Sequence, residues 1–240
     1  ITRHAMAALP PTMKAVLNKR SGSNLVYGLA EVPTPTVSGD KDLIVKITAS
    51  PINPSDLGSV GMVARFGGAN VAAGQTPSTV VAPLPEAAAG MFAADGDTKP
   101  VGSEGTGVVV AAGASPEAQA LIGKNVALTS GGGCYAQYAK TTTDTPMFAV
   151  LPDGTGAEAA SLFVNPLTVV GFVHTMREEG HKAIVHTAAG SQLGRMLVRH
   201  CKELDVPLVN IVRKEEAAAA LRELGAEHVI NSTAATYKAD

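Results

Sequence analysis

The sequence predicts a β domain followed by the opening half of a doubly wound parallel α/β sheet, and three observations carry that prediction. Residues 181–214 (HKAIVHTAAGSQLGRMLVRHCKELDVPLVNIVRK) read as strand, tight turn, helix and second strand. The stretch from about residue 13 to 152 is dense in short apolar runs and glycine turns, as a compact β domain requires. Beyond residue 214 only one further helix and strand follow, so the chain supplies three parallel strands and two crossover helices. That is the first half of a doubly wound sheet, and the expectation is of a fragment or of a fold completed by something else.

In chain order, Pro10-Pro11 blocks regular structure, so residues 1–12 read as a lead-in and Met13 to Leu17 as an opening strand. Leu43 to Ser50 is a stronger strand, with Leu43, Val45 and Ile47 alternating against Ile44, Lys46 and Thr48. The turn Pro51-Ile52-Asn53-Pro54-Ser55-Asp56 ends it, stiffened by two prolines and lined by polar side chains, where a site would be built. From Gly58 to Lys99 the residues are Gly, Ala and Pro rich with little periodicity, which predicts an irregular insertion: a mobile segment or a lid. Gly102-Ser103-Glu104-Gly105-Thr106-Gly107 is a glycine turn feeding another strand, and Asn125 to Ser130, Tyr135 to Lys140 and Met147 to Leu151 are three more. Thr155 with Glu158 has capping-box spacing, and Asn165 before Pro166 reads as the cap of a helix ending near Gly180, so residues 153–180 become linking helices.

The parallel half begins with Lys182 to Thr187, a short apolar run of the kind buried on both faces of a parallel sheet. The turn Thr187-Ala188-Ala189-Gly190-Ser191 has no long side chain, so a phosphate can approach its amides. Leu193, Met196, Leu197, Cys201 and Leu204 give one helical stripe, and Gly194 inside that helix implies close approach of helix to strand. Against the dinucleotide fingerprint G-x-G-x-x-G this turn reads Ala189-x-Ser191-x-x-Gly194, with only the third glycine literal. Pro207 to Val212 returns as a second strand. A helix from Glu215 to about Leu224 and a strand from His228 to Asn231 close the pattern.

Composition limits the function classes. The 240 residues are 45% hydrophobic, enough for a real core, and a net charge of -2 argues against a nucleic-acid partner. Two cysteines, Cys134 and Cys201, make neither a disulfide framework nor a four-thiolate zinc site, so an intracellular setting, cytoplasmic or organellar (mitochondrion or plastid) rather than secreted, is expected. No run reaches the length of a membrane span, and no signal-peptide pattern opens the chain. The start at Ile1 fits an organelle-import precursor or a partial chain equally.

Six blocks taken together resemble the medium-chain dehydrogenase/reductase superfamily, in its zinc-free quinone oxidoreductase and enoyl reductase branch: INPSD (52–56), GSEGTGVVVAAG (102–113), GGGCYAQYA (131–139), NPLTVVGFV (165–173), HTAAGSQLG (186–194) and LGAEHVINS (224–232). The resemblance spans about residues 13 to 232. It implies a GroES-like β-barrel domain over 13–152, carrying the insertion at about 58–99. Residues 153–180 would then link it to the N-terminal half of a Rossmann NADP-binding domain over 181–240, an incomplete doubly wound sheet.

In zinc-dependent relatives the ligand positions correspond to Asn53, Ser103 and Asn165 here, none of them a good zinc ligand. The six histidines show no HxxxH spacing, so no metal is expected. The resemblance places cofactor binding on Ala189, Gly190, Ser191, Gln192, Leu193 and Gly194. At the end of the second strand an NAD-specific fold carries an acid; here Val212 is followed by Arg213 and Lys214, which favours the 2'-phosphate of NADPH.

The implied chemistry is hydride transfer from NADPH to a quinone or an α,β-unsaturated carbonyl acceptor, with Asn53, Asp56 and Thr168 at the reacting end. Enoyl reductases of the branch carry a tyrosine donor about ten residues after the NPSD turn, where Val63-Ala64-Arg65-Phe66 has none. That favours a quinone or small enone over a 2-enoyl thioester, and Tyr135 could replace the donor only if its ring faces the cleft. Cys134 reads as a small buried residue. A non-catalytic assembly or binding subunit on the same scaffold stays open, and a homodimer or a larger assembly are both compatible with the resemblance.

Overall fold

A computed structural model describes residues 8–56, 70–71, 79–83, 94–96 and 98–234. The chain divides into two compact units, Ile1–Leu162 and Phe163–Asp240.

The first unit is built from antiparallel strands. β1 (Thr12–Ser21) and β2 (Asn24–Pro33) form a long hairpin closed by Gly22-Ser23. Gly22 at φ 58 adopts the left-handed conformation that two-residue hairpin turns require. With β4 (Asn70–Val71), β5 (Thr79–Pro83) and β6 (Thr98–Pro100) they make a sheet of order β4-β5-β2-β1-β6. Strand β2 has no counterpart among the predicted elements, and β4, β5 and β6 fall in the stretch expected to be irregular. Thr79-Val80-Val81 is β-branched throughout, and such residues suit a pleated surface even without alternation.

A second sheet has the order β10-β8-β7-β3-β9, from β3 (Asp42–Ala49), β7 (Glu104–Ala112), β8 (Asn125–Thr129), β9 (Tyr138–Thr142) and β10 (Phe148–Val150). Residues 135–137 stitch the two sheets. Val16 donates to the Tyr135 carbonyl at 2.8 Å, Gln137 donates to Lys14 at 3.1 Å, and Ile47 donates to Gln137 at 3.0 Å. The antiparallel surface therefore curls on itself. Leu43, Ile44 and Val45 are all fully buried, so both faces of β3 are covered where strict alternation predicted one. Two register shifts against β7, the second between Ile47 and Ala49, re-aim β3 just before the Pro51–Asp56 turn.

α1 (Pro116–Gln119) is a short helix capped by Ser115. The expected capping box at Thr155 is not formed: a 3-10 turn spans Ala157–Ser161 behind an uncapped Gly156, and the Thr155 hydroxyl donates to Pro152 at 2.7 Å. Glu158 still reaches back, accepting from the Gly156 amide at 3.0 Å.

In the second unit α2 (Val164–Glu178) leads to β11 (Ile184–His186), α3 (Gln192–Glu203), β12 (Leu208–Val212), α4 (Glu215–Glu223) and β13 (His228–Asn231). The sheet is parallel, in order β11-β12-β13. Asn165 is not the cap of α2. The helix starts two residues earlier, at Val164 behind Phe163, and Pro166 is accommodated in a first turn whose amides lack intrahelical acceptors anyway. The core joins Val169 and Val173 of α2, Leu197 and Cys201 of α3, Val212, and Leu221 of α4. The strands are not buried on both faces as predicted. In β12, Leu208, Asn210 and Val212 are buried while Val209 and Ile211 are half-buried, and Val185 in β11 is 62% exposed. One face alone is fully packed within this chain. Among the described residues no helix is long and apolar enough to cross a membrane.

Candidate functional site

Two polar constellations stand out, one in each unit. In the first, the second register shift on β3 delivers the chain into a turn closed by hydrogen bonds: Asp56 N–H donates to the Asn53 carbonyl at 3.0 Å and Asn53 N–H donates to Asp56 Oδ2 at 3.1 Å. Asp56 is an acceptor for four donors in all. Ser103 donates its amide (2.9 Å) and hydroxyl (2.5 Å) to Oδ1, and Tyr135 OH lies 3.1 Å from Oδ2. A carboxylate has about four acceptor positions, so this one is saturated.

Asn53 is buried and its amide donates to Glu104 Oε1 at 3.0 Å, and Glu104, at the start of β7, is completely enclosed. These bonds occupy two of the three positions where zinc-dependent relatives hold ligands, Asn53 and Ser103. The third, Asn165, is the second residue of α2 in the other unit. Among the described residues no group of three or more His, Cys, Asp or Glu forms a metal cluster.

The buried charges act on their neighbours. Burial, then the negative charges of Glu104 and Asp56, push the Cys134 thiol up to about 12, so it is protonated and non-nucleophilic at neutral pH. Tyr135 is raised by burial, then by Asp56, and its hydroxyl is held between Asp56 and the Pro51 carbonyl at 2.9 Å. Tyr27 on β2 is raised for the same two reasons. Tyr135 is thus a tie between the turn and β1, whose Val16 amide donates to its carbonyl, its proton already committed. A cleft of about 320 Å³ opens beside the turn, lined by Ser55, Asp56, Lys99, Ser103 and Ser130 with the glycine loop that follows. Val63 to Phe66, where the branch's tyrosine donor would fall, lie outside the described residues.

In the second unit a cavity of about 630 Å³ is bounded by residues 187–191 and by Ile211 to Lys214 with Ala217. It brings Ala189, Gly190 and Ser191 together with Arg213 and Lys214, from segments over twenty residues apart. Ser191 caps α3, its hydroxyl accepting from the Gly194 amide at 3.1 Å. The amides of Gln192 and Leu193 then open the helix without intrahelical acceptors, in the arrangement that favours anions.

Gln192, Leu193 and Gly194 do not line the cavity. Gln192 is exposed, and Leu193 packs against the core. At Gly194 a Cβ would lie 2.2 Å from the Ala189 carbonyl oxygen, so glycine is what lets α3 sit on the turn. Arg213 and Lys214 are exposed, and among the described residues neither has an ion-pair partner. Thr168, on α2, is half-buried, and its hydroxyl donates to the Val164 carbonyl at 2.8 Å, leaving its methyl and lone pairs for other contacts.

Glu104 and Tyr135 belong to the first constellation without having been predicted as site residues, as does Ser103 beyond its place at a vacant zinc position. The lone acid among small residues in GSEGTG was the available signal for Glu104.

No family model matches the chain. It is 29% identical over 202 residues to the mitochondrial enoyl-[acyl-carrier-protein] reductase of Xenopus tropicalis, covering 81% of this chain and 49% of that protein. It is 27% identical over 232 residues to prostaglandin reductase-3 of Mus musculus, covering 94% and 52%. Among solved structures, a Mesorhizobium loti protein assigned as an NADPH:quinone reductase superposes with a TM-score of 0.69 at 28% identity, covering 97% of this chain and 63% of the other. The chain spans about half the length of the curated relatives it matches. By sequence and by fold it resembles enoyl, prostaglandin and NADPH:quinone reductases, consistent with the zinc-free quinone oxidoreductase and enoyl reductase branch of the medium-chain dehydrogenase/reductase superfamily.

Proposed function

We propose that this chain carries the acceptor domain and the adenosine-binding half of an NADPH-dependent, zinc-independent oxidoreductase that delivers a hydride to a quinone or an α,β-unsaturated carbonyl compound. In this reading the curled antiparallel unit is a GroES-like barrel and the parallel unit is the N-terminal half of a Rossmann domain. The observation that carries it is the 630 Å³ cavity in which a phosphate-sized turn meets two cations that have no ion-pair partner among the described residues, with no acid among the residues that line it.

The residues present fit the cofactor class. The small-residue turn Ala188 to Ser191, at the capped N-terminus of α3, suits a pyrophosphate, and Arg213 and Lys214 suit a 2'-phosphate. When bound, NADPH supplies the hydride, and the protein orients the partners and excludes water. Asn53 and Asp56 are the first unit's proposed residues for the reaction, and Thr168 is the second unit's. Glu104 orients the Asn53 amide, Asp56 locks the turn that carries Asn53, and Thr168 offers a methyl and an acceptor oxygen. With Tyr135 committed to Asp56, the proton for the reduced acceptor comes from solvent, which suits a hydroquinone oxygen. A 2-enoyl thioester is the second reading, favoured by the names of the Xenopus and Caenorhabditis elegans relatives.

The test is a titration of the full-length protein with NADPH and NADH, followed by NADPH oxidation in the presence of a quinone, an enone and an enoyl thioester. Arg213→Asp is expected to weaken NADPH at least tenfold and NADH little, since a charge-assisted contact to phosphate is lost and a repulsive one added. Equal loss of both cofactors would remove the assignment. A cofactor-free protein whose 58–99 segment is covered by another chain would favour the assembly-subunit alternative.

A further inference from the structure

Resting on the NADPH reading, we propose that Arg222 and Asn231 are positioning residues for cofactor choice: they hold the Glu215 carboxylate off Arg213 and Lys214 and so keep those cations free for a 2'-phosphate.

Glu215 is the first residue of α4 and follows directly on Arg213-Lys214. A free carboxylate there would pair with the two adjacent cations and repel a phosphate approaching them. Instead both its oxygens are engaged elsewhere. Oε1 accepts from Arg222 Nη1 at 2.8 Å, two turns along the helix, and Oε2 accepts from Asn231 Nδ2 at 3.2 Å, at the end of β13.

The Asn231 amide cannot be flipped without loss, because its Oδ1 accepts the Thr233 amide at 3.1 Å and lies 2.9 Å from the Thr233 hydroxyl. That hydroxyl also lies 3.1 Å from the Arg213 carbonyl, so one short loop braces the Asn231 side chain and the backbone beneath the cations. Neither Glu215 nor Glu216 lines the cavity, and Glu216 is turned about 100° further round the helix. The Glu215–Arg222 pair is exposed, 64% and 52%, so the single ion pair is weak. The two-sided hold from helix and strand is what localises the carboxylate.

Ligands carrying only the adenosine end test this: 2',5'-ADP and 5'-AMP differ in the 2'-phosphate alone, and calorimetry reads both affinities. Wild type is expected to prefer 2',5'-ADP. Arg222→Ala with Asn231→Ala should cut that preference about threefold to tenfold, the effect of one released charge some 6 Å from a phosphate in a water-like dielectric. Binding of 5'-AMP should hold within about twofold, and adding Glu215→Gln should restore the preference.

An unchanged preference in the double variant, equal loss of both ligands, or no rescue by Glu215→Gln would overturn the proposal and leave the NADPH reading standing. No preference in wild type would remove both. Carbon-13 titration of the Glu215 carboxyl gives a readout independent of ligand. Arg222 first, then Asn231, hold it below the ordinary carboxylate range, and a wild-type midpoint in the ordinary range would sink the proposal even if the variants failed to fold.

Discussion

The two units treat their polar groups in opposite ways. Around Asp56 the turn's polar groups answer one another: four donors meet one carboxylate, Asn53 meets Glu104, and the Tyr135 proton is already shared with Asp56 and Pro51. Around Ser191, Arg213 and Lys214 line a cavity and have no ion-pair partner among the described residues, while the adjacent acid, Glu215, is tied back. A saturated network holds a shape, because removing any member strands the rest. An unsaturated cluster of one sign waits for a ligand, because that ligand's charge completes it. The first unit's network therefore fixes the shape of the Pro51–Asp56 turn, whereas the second unit's cations suit the anion proposed for them.

The largest break in that contrast should come at Asp56. Asp56→Ala strands the buried Asn53 amide and half the anchoring of Tyr135, at a cost of about 3 kcal/mol in denaturant unfolding of the first unit. Nucleotide affinity at the other unit should stay unchanged. Asp56→Asn is milder and more diagnostic: with the negative charge gone, Tyr27 and Tyr135 should ionise at lower pH in ultraviolet difference spectra. Unmoved tyrosine titrations would mean that Asp56 is not the charge they feel.

Gly194→Ala comes next. Alanine gains about 1 kcal/mol of helix propensity, but its Cβ would lie 2.2 Å from a backbone oxygen that cannot rotate away. Overpacking of about 1–3 kcal/mol should win, so the second unit loses stability while α3 lifts from the turn and 2',5'-ADP binding weakens. A stabilised variant with intact binding would show that the helix and turn are free to adjust.

Much of the second unit was legible in the sequence, because its signals are local. The run IVH, the small residues of the turn, and Gly225 after α4 each act within a few positions. What failed there concerned partners: His186 and Val185 read as a doubly buried strand, yet burial depends on what lies across the sheet. In the first unit, Asn53 and Asp56 were legible as a stiff polar turn, but their bonds to Ser103, Glu104 and Tyr135 cross 47 to 79 residues of chain and leave no periodic trace. Strand β2 escaped because Gly28 and the alternation of small with large residues weaken its pattern, although Gly22-Ser23 was a usable hairpin signal.

Acid separates the two units by smaller effects. His186, half-buried against Phe172 with Nδ1 unpartnered, is lowered from 6.5 by burial. The unfolded chain then binds the proton more readily, so this group's stability is present above pH 6.5 and is lost as pH falls below it. Asp42 in the first unit is held well below the ordinary carboxylate range, by Lys140 at 2.7 Å first and then by the Ser38 and Gly39 amides. Its contribution is present above pH 3.8 and is lost as pH falls through the lowered value.

Acid titration should therefore weaken the second unit first. His186→Phe should flatten the second unit's stability below pH 6.5 without touching the first. Lys140→Met should be the smallest change, at most about 1 kcal/mol near neutral pH, because the lysine is about one-third exposed and the two backbone amides continue to hold Asp42. It should shift the first unit's acid limb upward while leaving the His186 window in place. A shift in both windows would mean that the two units unfold as one, and the contrast between them would then lie in chemistry alone.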